Sequence, residues 1–345
     1  MNILFILPVF EKKIGGMERF VLEASQELAL QGNEVSVLTS GDSVKIPDVQ
    51  IISVNVPKPR VFNKPIKYYF TSLAAKKHLK ENKYDLVIAM GFSGVFLKDH
   101  LWRCSGMPVQ IKYNSPVSLL DSWLQSIFEK ASIKKAKFHM FPSLEMKKLF
   151  EERYSFSDEP YFIPCSGLGI HNESRPKLPK IEGKKVLVVG GLSENRKGRE
   201  MIIEVMNHEE FRDTTLVVTG EGKADSLLCK TCYLGYVPPE HMPAIYTWCD
   251  ALLFPSLSEG FPNTLLEAEA NGLPIVCSPI VGLREYFNVT PCKTTEEYVS
   301  SLKKTLRKRK PGSSDKLIKK INYRRVISSL IKHVKTRKTI NLLLD

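Results

Sequence analysis

Long apolar runs are missing from this sequence of 345 residues. No stretch approaches the ~18 consecutive apolar residues that a membrane-spanning helix needs. The N-terminal run 3–8 has no basic residue before it and is shorter than the apolar core of a signal peptide. We interpret this run as a buried strand and expect a cytoplasmic protein.

A disulfide framework is also missing. The seven cysteines are an odd number scattered over a long chain, which favours reduced thiols. Cys229 and Cys232 form one Cys-x-x-Cys pair, but no further pair of ligands at zinc-site spacing accompanies it. We interpret the pair as two ordinary semi-buried cysteines, with a zinc or redox site as the weaker alternative.

Acidic residues are outnumbered, since 37 Asp and Glu stand against 50 Lys and Arg, for a formal net charge of +13. Such a surface attracts polyanions. Aromatic residues do not interleave with the basic C-terminal region, and zinc-finger and RNP-like motifs are absent, so we expect no nucleic-acid partner. The basic region predicts either a solvated helix face or contact with an anionic membrane surface. Its basic residues are Lys303, Lys304, Arg307, Lys308, Arg309, Lys310, Lys316, Lys319, Lys320, Arg324, Arg325, Lys332, Lys335, Arg337 and Lys338.

Short apolar runs that alternate with runs of helical spacing predict an α/β protein. A loop with a Gly pair, 12–16, joins the first strand to the first helix, and Ser143 is expected to cap a helix that ends at Arg153. In this half of the chain the predicted strands are 2–7, 34–38, 50–54, 86–89, 109–112 and 138–141, and the other predicted helices are 17–31, 69–80 and 119–132.

A stretch rich in Gly and Pro, 165–183, interrupts the alternation, which then restarts. The strands predicted after the break are 185–189, 216–219, 231–234, 251–254 and 275–277. Ligands of such sheets bind beyond the carboxyl ends of the strands, so a cleft between two facing domains is the expected site. We predict two Rossmann-like domains at 1–165 and 185–313, a linker at 166–184, and a basic C-terminal helix and tail at 314–345.

The strongest motif is 256–274, where a buried strand runs into a polar loop and then into a helix that starts near Pro262 or Asn263. Glu259 lies on the loop and Glu267 on the helix. The helix N-terminus offers N–H groups and a partial positive charge, which suit a diphosphate. The two carboxylates can accept hydrogen bonds from the hydroxyls of a sugar and of a ribose. The alternative is a helix with solvated glutamates.

A second motif, 188–198, places Arg196 and Lys197 between a strand and a helix that begins with Lys197 or Gly198. The planar fork of an Arg and the compact charge of a Lys can clamp a leaving diphosphate. The alternative is an exposed basic loop.

Together these motifs resemble the signature of retaining glycosyltransferase family 4, which has the GT-B fold. The residues that carry the resemblance are Glu259-Gly260-Phe261, Glu267-Ala268, Gly272-Leu273-Pro274 and Lys197-Gly198. It implies that Glu259 binds the transferred sugar, that Glu267 binds the nucleotide ribose, and that Lys197 with Arg196 stabilises the diphosphate. It assigns further donor contacts to Gly260, Phe261, Asn263, Thr264, Gly220, Gly15 and Gly16.

The sequence departs from the family pattern at two positions. Gly191 stands where the family has an Arg, and Arg196 is expected to replace that contact. Asn114 takes the position of a histidine that some relatives place near the sugar. The Asp-x-Asp pair that holds a metal in the other large glycosyltransferase architecture does not occur, so we expect a reaction without metal or other cofactor.

The resemblance implies a retaining enzyme that moves a hexose-type sugar from a UDP- or GDP-sugar. Its acceptor is expected to be a glycan or a lipid-linked glycan of cell-surface polysaccharide or lipopolysaccharide biosynthesis. Such an enzyme is expected in the cytoplasm or at the inner face of the cell membrane. Two alternatives remain, namely a nucleotide-sugar epimerase of GT-B fold and, less favoured, a nucleic-acid-binding α/β protein.

Overall fold

The computed structural model divides the chain into two compact units. The first comprises Met1–Gly167 and Tyr323–Asp345, and the second comprises Leu168–Asn322. Each unit is a parallel β-sheet with helices, which confirms the predicted α/β class. The structure describes residues 1–10, 16–40, 45–57, 59–109, 115–155, 161–163, 176–193, 195–224, 226–259, 262–280, 287, 289, 291–308 and 323–341.

The first unit contains an eight-stranded sheet in which all neighbours are parallel. Its strands are β1 (Asn2–Val9), β2 (Glu34–Ser40), β3 (Val49–Ser53), β4 (Leu86–Met90), β5 (His100–Arg103), β6 (Ala136–Met140), β7 (Tyr161–Ile163) and, near the C-terminus, β13 (Ile340–Asn341). They lie in the order β13-β7-β6-β5-β4-β1-β2-β3. The inner strand β1 is buried along residues 3–8, as expected for a parallel strand covered on both faces.

Side-chain caps define the start of two helices in this unit. The Ser115 hydroxyl accepts a hydrogen bond from the Ser118 N–H, and the Ser143 hydroxyl accepts one from the Met146 N–H. The predicted cap at Ser143 is therefore confirmed. The helices between β1 and β7 are α1 (Gly16–Leu30), α2 (Asn63–Glu81), α3 (Pro116–Lys135) and α4 (Leu144–Tyr154).

Some sequence predictions for this unit were wrong or fall outside the described residues. Helix α2 begins at Asn63, well before the predicted start at residue 69, because Pro65 fits the first turn of a helix. The short strands β5 and β7 were not predicted. The predicted strand 109–112 lies outside the described residues from residue 110 on, and Val109 is not in a strand.

The second unit contains a five-stranded parallel sheet. Its strands are β8 (Lys185–Val189), β9 (Thr215–Thr219), β10 (Lys230–Gly235), β11 (Ala251–Phe254) and β12 (Ile275–Cys277), in the order β10-β9-β8-β11-β12. Its core joins apolar residues of the strands to those of the helices, such as Val186 and Leu253 to Ile202 and Leu302. The helices are α5 (Arg199–Met206), α6 (Met242–Trp248), α7 (Asn263–Ala270) and α8 (Thr295–Arg307).

The strand order of the second sheet has a switch point between β8 and β11. From β8 the chain adds β9 and β10 on one side and then β11 and β12 on the other. Such an order leaves a crevice at the carboxyl ends of the two central strands. The loops after β8 and β11, at 190–198 and 255–262, therefore start side by side, and β1 with β4 is the corresponding pair in the first unit.

The C-terminal helix α9 (Tyr323–Thr336) belongs to the first unit. It buries Tyr323, Val326 and Leu330, and the ring centroid of Tyr323 lies 6.3 Å from that of Phe20 on α1. Arg324 and other basic residues lie on its exposed side. Within the described ranges, no helix combines the length and the apolar character needed to cross a membrane.

Candidate active site

The loops after β8 and β11 bring two cations and a carboxylate together. The Lys197 Nζ lies 2.7 Å from the Glu259 Oε1, and an Arg196 guanidinium nitrogen lies 3.2 Å from the same oxygen. The side chains of Glu259 and Lys197 are 12% and 18% exposed, whereas that of Arg196 is 48% exposed. The three charged residues, which come from two separate motifs, are thus in contact, and their combined charge favours an anionic ligand.

Short polar contacts fix the Glu259 loop against the Arg196 loop. The Ser256 hydroxyl donates to the Glu259 Oε1 at 2.7 Å. The Leu257 N–H donates to the Arg196 carbonyl at 2.9 Å, and the Arg196 guanidinium donates to the Ser258 carbonyl at 3.0 Å. The carboxylate of Glu259 is therefore oriented by a hydroxyl and two cations before any ligand arrives.

Glycine at 198 allows the two loops to approach closely. Gly198 precedes α5 with φ +75°, and a Cβ at this position would lie 2.1 Å from the Pro255 carbonyl oxygen. A residue with a side chain would be strained by this φ and would also push the two loops apart. The Lys197 side chain passes close to Gly190, where a Cβ would lie 3.4 Å from the Lys197 Cε.

The structure gives a physical reason for the glycine at 191. Gly191 has φ +83°, and a Cβ there would lie 2.1 Å from the Glu221 carbonyl oxygen. That carbonyl accepts a hydrogen bond from the Leu192 N–H at 2.7 Å. Gly220, after β9, packs against the same turn, because a Cβ at position 220 would lie 2.7 Å from the Gly191 nitrogen. This backbone has no room for an Arg at 191, whereas Arg196 reaches Glu259.

Glu267 lies on the buried side of α7 and is 8% exposed. Its Oε2 accepts a hydrogen bond from the Tyr246 hydroxyl at 2.7 Å, and Tyr246 is fully buried on α6. Pro262 precedes α7 and gives no side-chain hydrogen bond to its first turn, where Asn263 and Thr264 are partly buried. This end of α7 carries the partial positive charge of a helix N-terminus.

The remaining predicted site residues are not all described. Gly16 is the exposed first residue of α1. Gly15, Gly260, Phe261 and Asn114 lie outside the described residues.

Sequence reasoning missed two residues that hold the glutamates in place. Ser256 lies inside the motif 256–274, and the polar loop around it was the only sequence signal for its contact with Glu259. Tyr246 has no sequence signal, because its bond to Glu267 depends on how α6 and α7 pack.

Comparisons with known families agree with this fold. Residues 14–166 match the family model described as Glycosyltransferase Family 4, and residues 183–308 match the one described as Glycosyl transferases group 1. The chain is therefore a glycosyltransferase and an enzyme. It belongs to the family 4 type, because the two models together cover most of the chain.

Two sequence relatives are also glycosyltransferases. The lipopolysaccharide glucosyltransferase WaaG of Escherichia coli is 23% identical over 309 residues, covering 81% of this chain and 81% of the relative. O-antigen chain mannosyltransferase B of Escherichia coli is 45% identical over 53 residues, which are 15% of this chain and 14% of that protein.

Solved structures show the same fold over nearly the whole chain. Sucrose-phosphate synthase of Thermosynechococcus elongatus superposes with a TM-score of 0.72 at 17% identity, covering 97% of this chain and 98% of that one. The crystal structure of WaaG superposes with a TM-score of 0.67 at 20% identity, covering 97% and 95%. The chain has the GT-B fold of these enzymes.

Proposed function

We propose that this glycosyltransferase moves a hexose-type sugar from a UDP- or GDP-sugar to a glycan or lipid-linked acceptor, with retention at the anomeric carbon. The observation that carries the proposal is the contact of Lys197 and Arg196 with Glu259 at the switch point of the second sheet. The proposed product belongs to cell-surface polysaccharide or lipopolysaccharide. WaaG and O-antigen chain mannosyltransferase B support this acceptor class by their names.

The diphosphate of the donor is proposed to bind between the Lys197 loop and the N-terminus of α7. A leaving diphosphate gains negative charge as the glycosidic bond breaks, and cations already in place stabilise that charge without reorganisation. Glu259 already accepts from Lys197, Arg196 and Ser256, so its carboxylate is held where a sugar hydroxyl can donate to it. Bound phosphate would share the two cations with Glu259.

The ribose of the donor is proposed to bind Glu267. Tyr246 donates to the Glu267 Oε2, which fixes the orientation of the carboxylate. Because the carboxylate is almost fully buried, a diol that reaches it would bind in a largely desolvated place, where hydrogen bonds are stronger.

Two cations and a helix N-terminus can supply the charge that a divalent metal would otherwise supply, so we propose a metal-independent reaction. In the proposed retaining step the acceptor oxygen attacks on the face that the diphosphate leaves. The acceptor proton passes to a phosphate oxygen, the glycosidic bond to the diphosphate breaks, and a new bond to the acceptor forms. Excess chelator should leave the rate unchanged.

Replacing Lys197 by Ala tests the proposed site. We expect the rate of acceptor-dependent nucleotide release to fall about 100- to 1,000-fold, because one preorganised charge at the leaving group is lost. The donor is first found by a thermal-shift screen of nucleotide diphosphates and nucleotide-sugars, since a bound ligand raises the melting temperature. Glu259→Ala should have a similar effect on the rate.

The matched control is Lys230→Ala, which removes an exposed Lys on β10 of the same unit and should leave the rate unchanged. Near wild-type rates for both Lys197→Ala and Glu259→Ala would reject the site. Conversion of the donor sugar without any acceptor would instead favour an epimerase.

A further inference from the structure

Helix α3 has its apolar and polar sides reversed relative to an ordinary surface helix. Its buried residues are Ser122, Glu129, Ser132 and Ile133. Large apolar residues of the same helix are between 39% and 52% exposed, namely Val117, Leu119, Leu120, Trp123 and Ile127. A helix that packs on a sheet normally turns such residues inward. The exposed side of α3 is therefore suited to contact an apolar partner rather than water.

Hydrogen bonds hold α3 in this orientation. The Glu129 carboxylate accepts from the Val109 N–H at 2.9 Å and from the Tyr154 hydroxyl. The Ser132 hydroxyl donates to the Gly91 carbonyl at 3.1 Å. Rotation of the helix would break these buried bonds and leave their partners unsatisfied. The apolar exposure is thus part of the fold.

Helix α2 continues the same surface. It buries Thr71, Ser72 and Ala75, while Tyr69, Phe70 and Leu73 are 38%, 38% and 44% exposed. The Tyr69 ring lies 6.1 Å from the Phe128 ring of α3, measured between centroids. We call the exposed apolar residues of both helices the α2–α3 face. It holds eight of the thirteen large apolar residues that are exposed in the described ranges, so they are concentrated there.

The charge of these helices indicates what covers the face. Together α2 and α3 carry eight Lys and three acidic residues, one of which is the buried Glu129. In a symmetric dimer each face would meet its own copy, which would set Lys against Lys. An anionic lipid surface instead pairs with the lysines, while Trp and Tyr suit the boundary between headgroups and acyl chains.

We infer that the α2–α3 face docks on an anionic lipid bilayer, with its apolar side chains at the headgroup boundary and its lysines on the lipid headgroups. This face, rather than the basic helix α9, makes the main contact. On α9 the apolar side is already used against the first unit, and no large apolar residue of its described part is exposed. The inference does not depend on the identity of the donor or the acceptor.

Vesicle binding by the full chain tests the inference. Of the three tryptophans, Trp123 is 52% exposed, Trp102 is fully buried and Trp248 is half-buried in the second unit, so Trp123 is the natural fluorescent probe of the face. We expect Trp emission to shift to the blue on vesicles of phosphatidylglycerol and phosphatidylcholine, and brominated acyl chains to quench it. The Trp123→Phe variant should still bind but lose most of this signal.

Substitutions then separate the face from the basic helix. For the double variant Leu120→Glu and Ile127→Glu we expect vesicle partitioning to fall about tenfold or more, since two apolar anchors become anionic. The matched control removes three exposed cations of α9, through Arg324→Gln, Lys332→Gln and Lys335→Gln, and should lose less than about threefold. Both variants should keep the far-UV circular dichroism and cooperative thermal unfolding of the wild type, which shows that they fold.

Three results would overturn the inference. One is unchanged partitioning of the Leu120→Glu and Ile127→Glu variant. Another is loss of binding in the α9 variant alone, which would assign the contact to the basic helix. The third is a dimer in vesicle-free buffer that the Leu120→Glu and Ile127→Glu variant dissociates, since the face would then bind a second copy.

Discussion

The first five strands of the two sheets follow the same order, but the loop after the fourth strand differs chemically between the two units. After β11 the second unit enters a loop whose Glu259 contacts Lys197. After β4 the first unit enters a buried turn, Gly91–Gly94, where a Cβ on Gly94 would lie 2.2 Å from the His100 Nε2. Topology therefore decides which strand ends meet, and the side chains decide whether the meeting point is a packed turn or a charged site.

The two units also differ in where their apolar residues are exposed. In the first unit they are concentrated on α2 and α3, as described above. Among the described residues of the second unit, the exposed large apolar side chains are Leu228, Tyr236 and Leu257, which lie in different segments. The comparison suggests a division of work, in which the second unit binds the donor and the first contacts a lipid surface. This division is a hypothesis, and the vesicle and rate measurements proposed above test its two halves separately.

Among the variants that test this difference between the two units, Gly198→Ala is expected to have the largest effect. The new Cβ would lie 2.1 Å from the Pro255 carbonyl, so the loops that hold Lys197 and Glu259 would separate. We expect a loss of about 3 kcal/mol or more in the free energy of unfolding of the second unit. The transfer rate should fall about 100-fold as well, because one loop carries the two cations and the other carries Glu259. Thermal melting and nucleotide release measure the two effects.

Gly32→Ala in the first unit is the control for backbone strain alone. Gly32 has φ +78°, but a Cβ there would have nothing within 4 Å. This variant should lose only about 1 to 2 kcal/mol, the cost of a left-handed conformation, and keep its rate. Equal losses in both glycine variants would mean that close packing of the two loops is not important.

A pH measurement sharpens the description of the turn in the first unit. Burial, with smaller contributions from the nearby His139 and Lys135, lowers the pKa of His100 from 6.5 to about 3. Between pH 6.5 and pH 3 the folded state therefore keeps His100 neutral, whereas the unfolded state takes up a proton. The contribution of His100 to the free energy of unfolding is complete above pH 6.5 and is lost as the pH falls toward 3. Between pH 6.5 and pH 5 this group alone should remove about 2 kcal/mol. Urea unfolding across this range measures the slope.

The His100→Gln variant should make that dependence shallower, because Gln does not titrate. If the variant and the wild type lose stability equally between pH 6.5 and pH 5, another group is responsible.

The smallest effect is expected for Tyr246→Phe. It removes the hydroxyl that orients Glu267, so the KM for the donor should rise about threefold to tenfold with little change in kcat, as for a loss of about 1 kcal/mol of binding. Tyr298→Phe is the control, since Tyr298 is a buried tyrosine of α8 in the core of the same unit. An unchanged KM for Tyr246→Phe would argue against a ribose at Glu267.

The sequence predicted the second sheet more closely than the first. The bounds of β8, β11 and β12 coincide with the predicted strands, because a buried parallel strand is a short apolar run with clear ends. Strand β5 was missed because its four residues include His100 and Arg103, which break the apolar pattern. Strand β13 has only two residues, and two residues give no periodicity.

For the candidate site, the charged residues could be predicted from the sequence, but not all of the residues that hold them in place could be. The proximity of Lys197 to Glu259 follows from motifs that end neighbouring strands, and strand order is a rule of the fold. The role of Gly191 could not be derived from the sequence, because it depends on a contact with the Glu221 backbone. The Tyr246 contact likewise depends on the packing of two helices.

The return of the chain to the first unit has a consequence for synthesis. The second unit, Leu168–Asn322, is complete before α9 and β13 have been made, whereas the first unit needs residues from both ends of the chain. Until α9 and β13 have been synthesised, the edge of β7 that pairs with β13 has no partner strand, and Phe20 of α1 lacks its contact with Tyr323. We therefore expect the first unit to complete its folding only after the second unit has been synthesised.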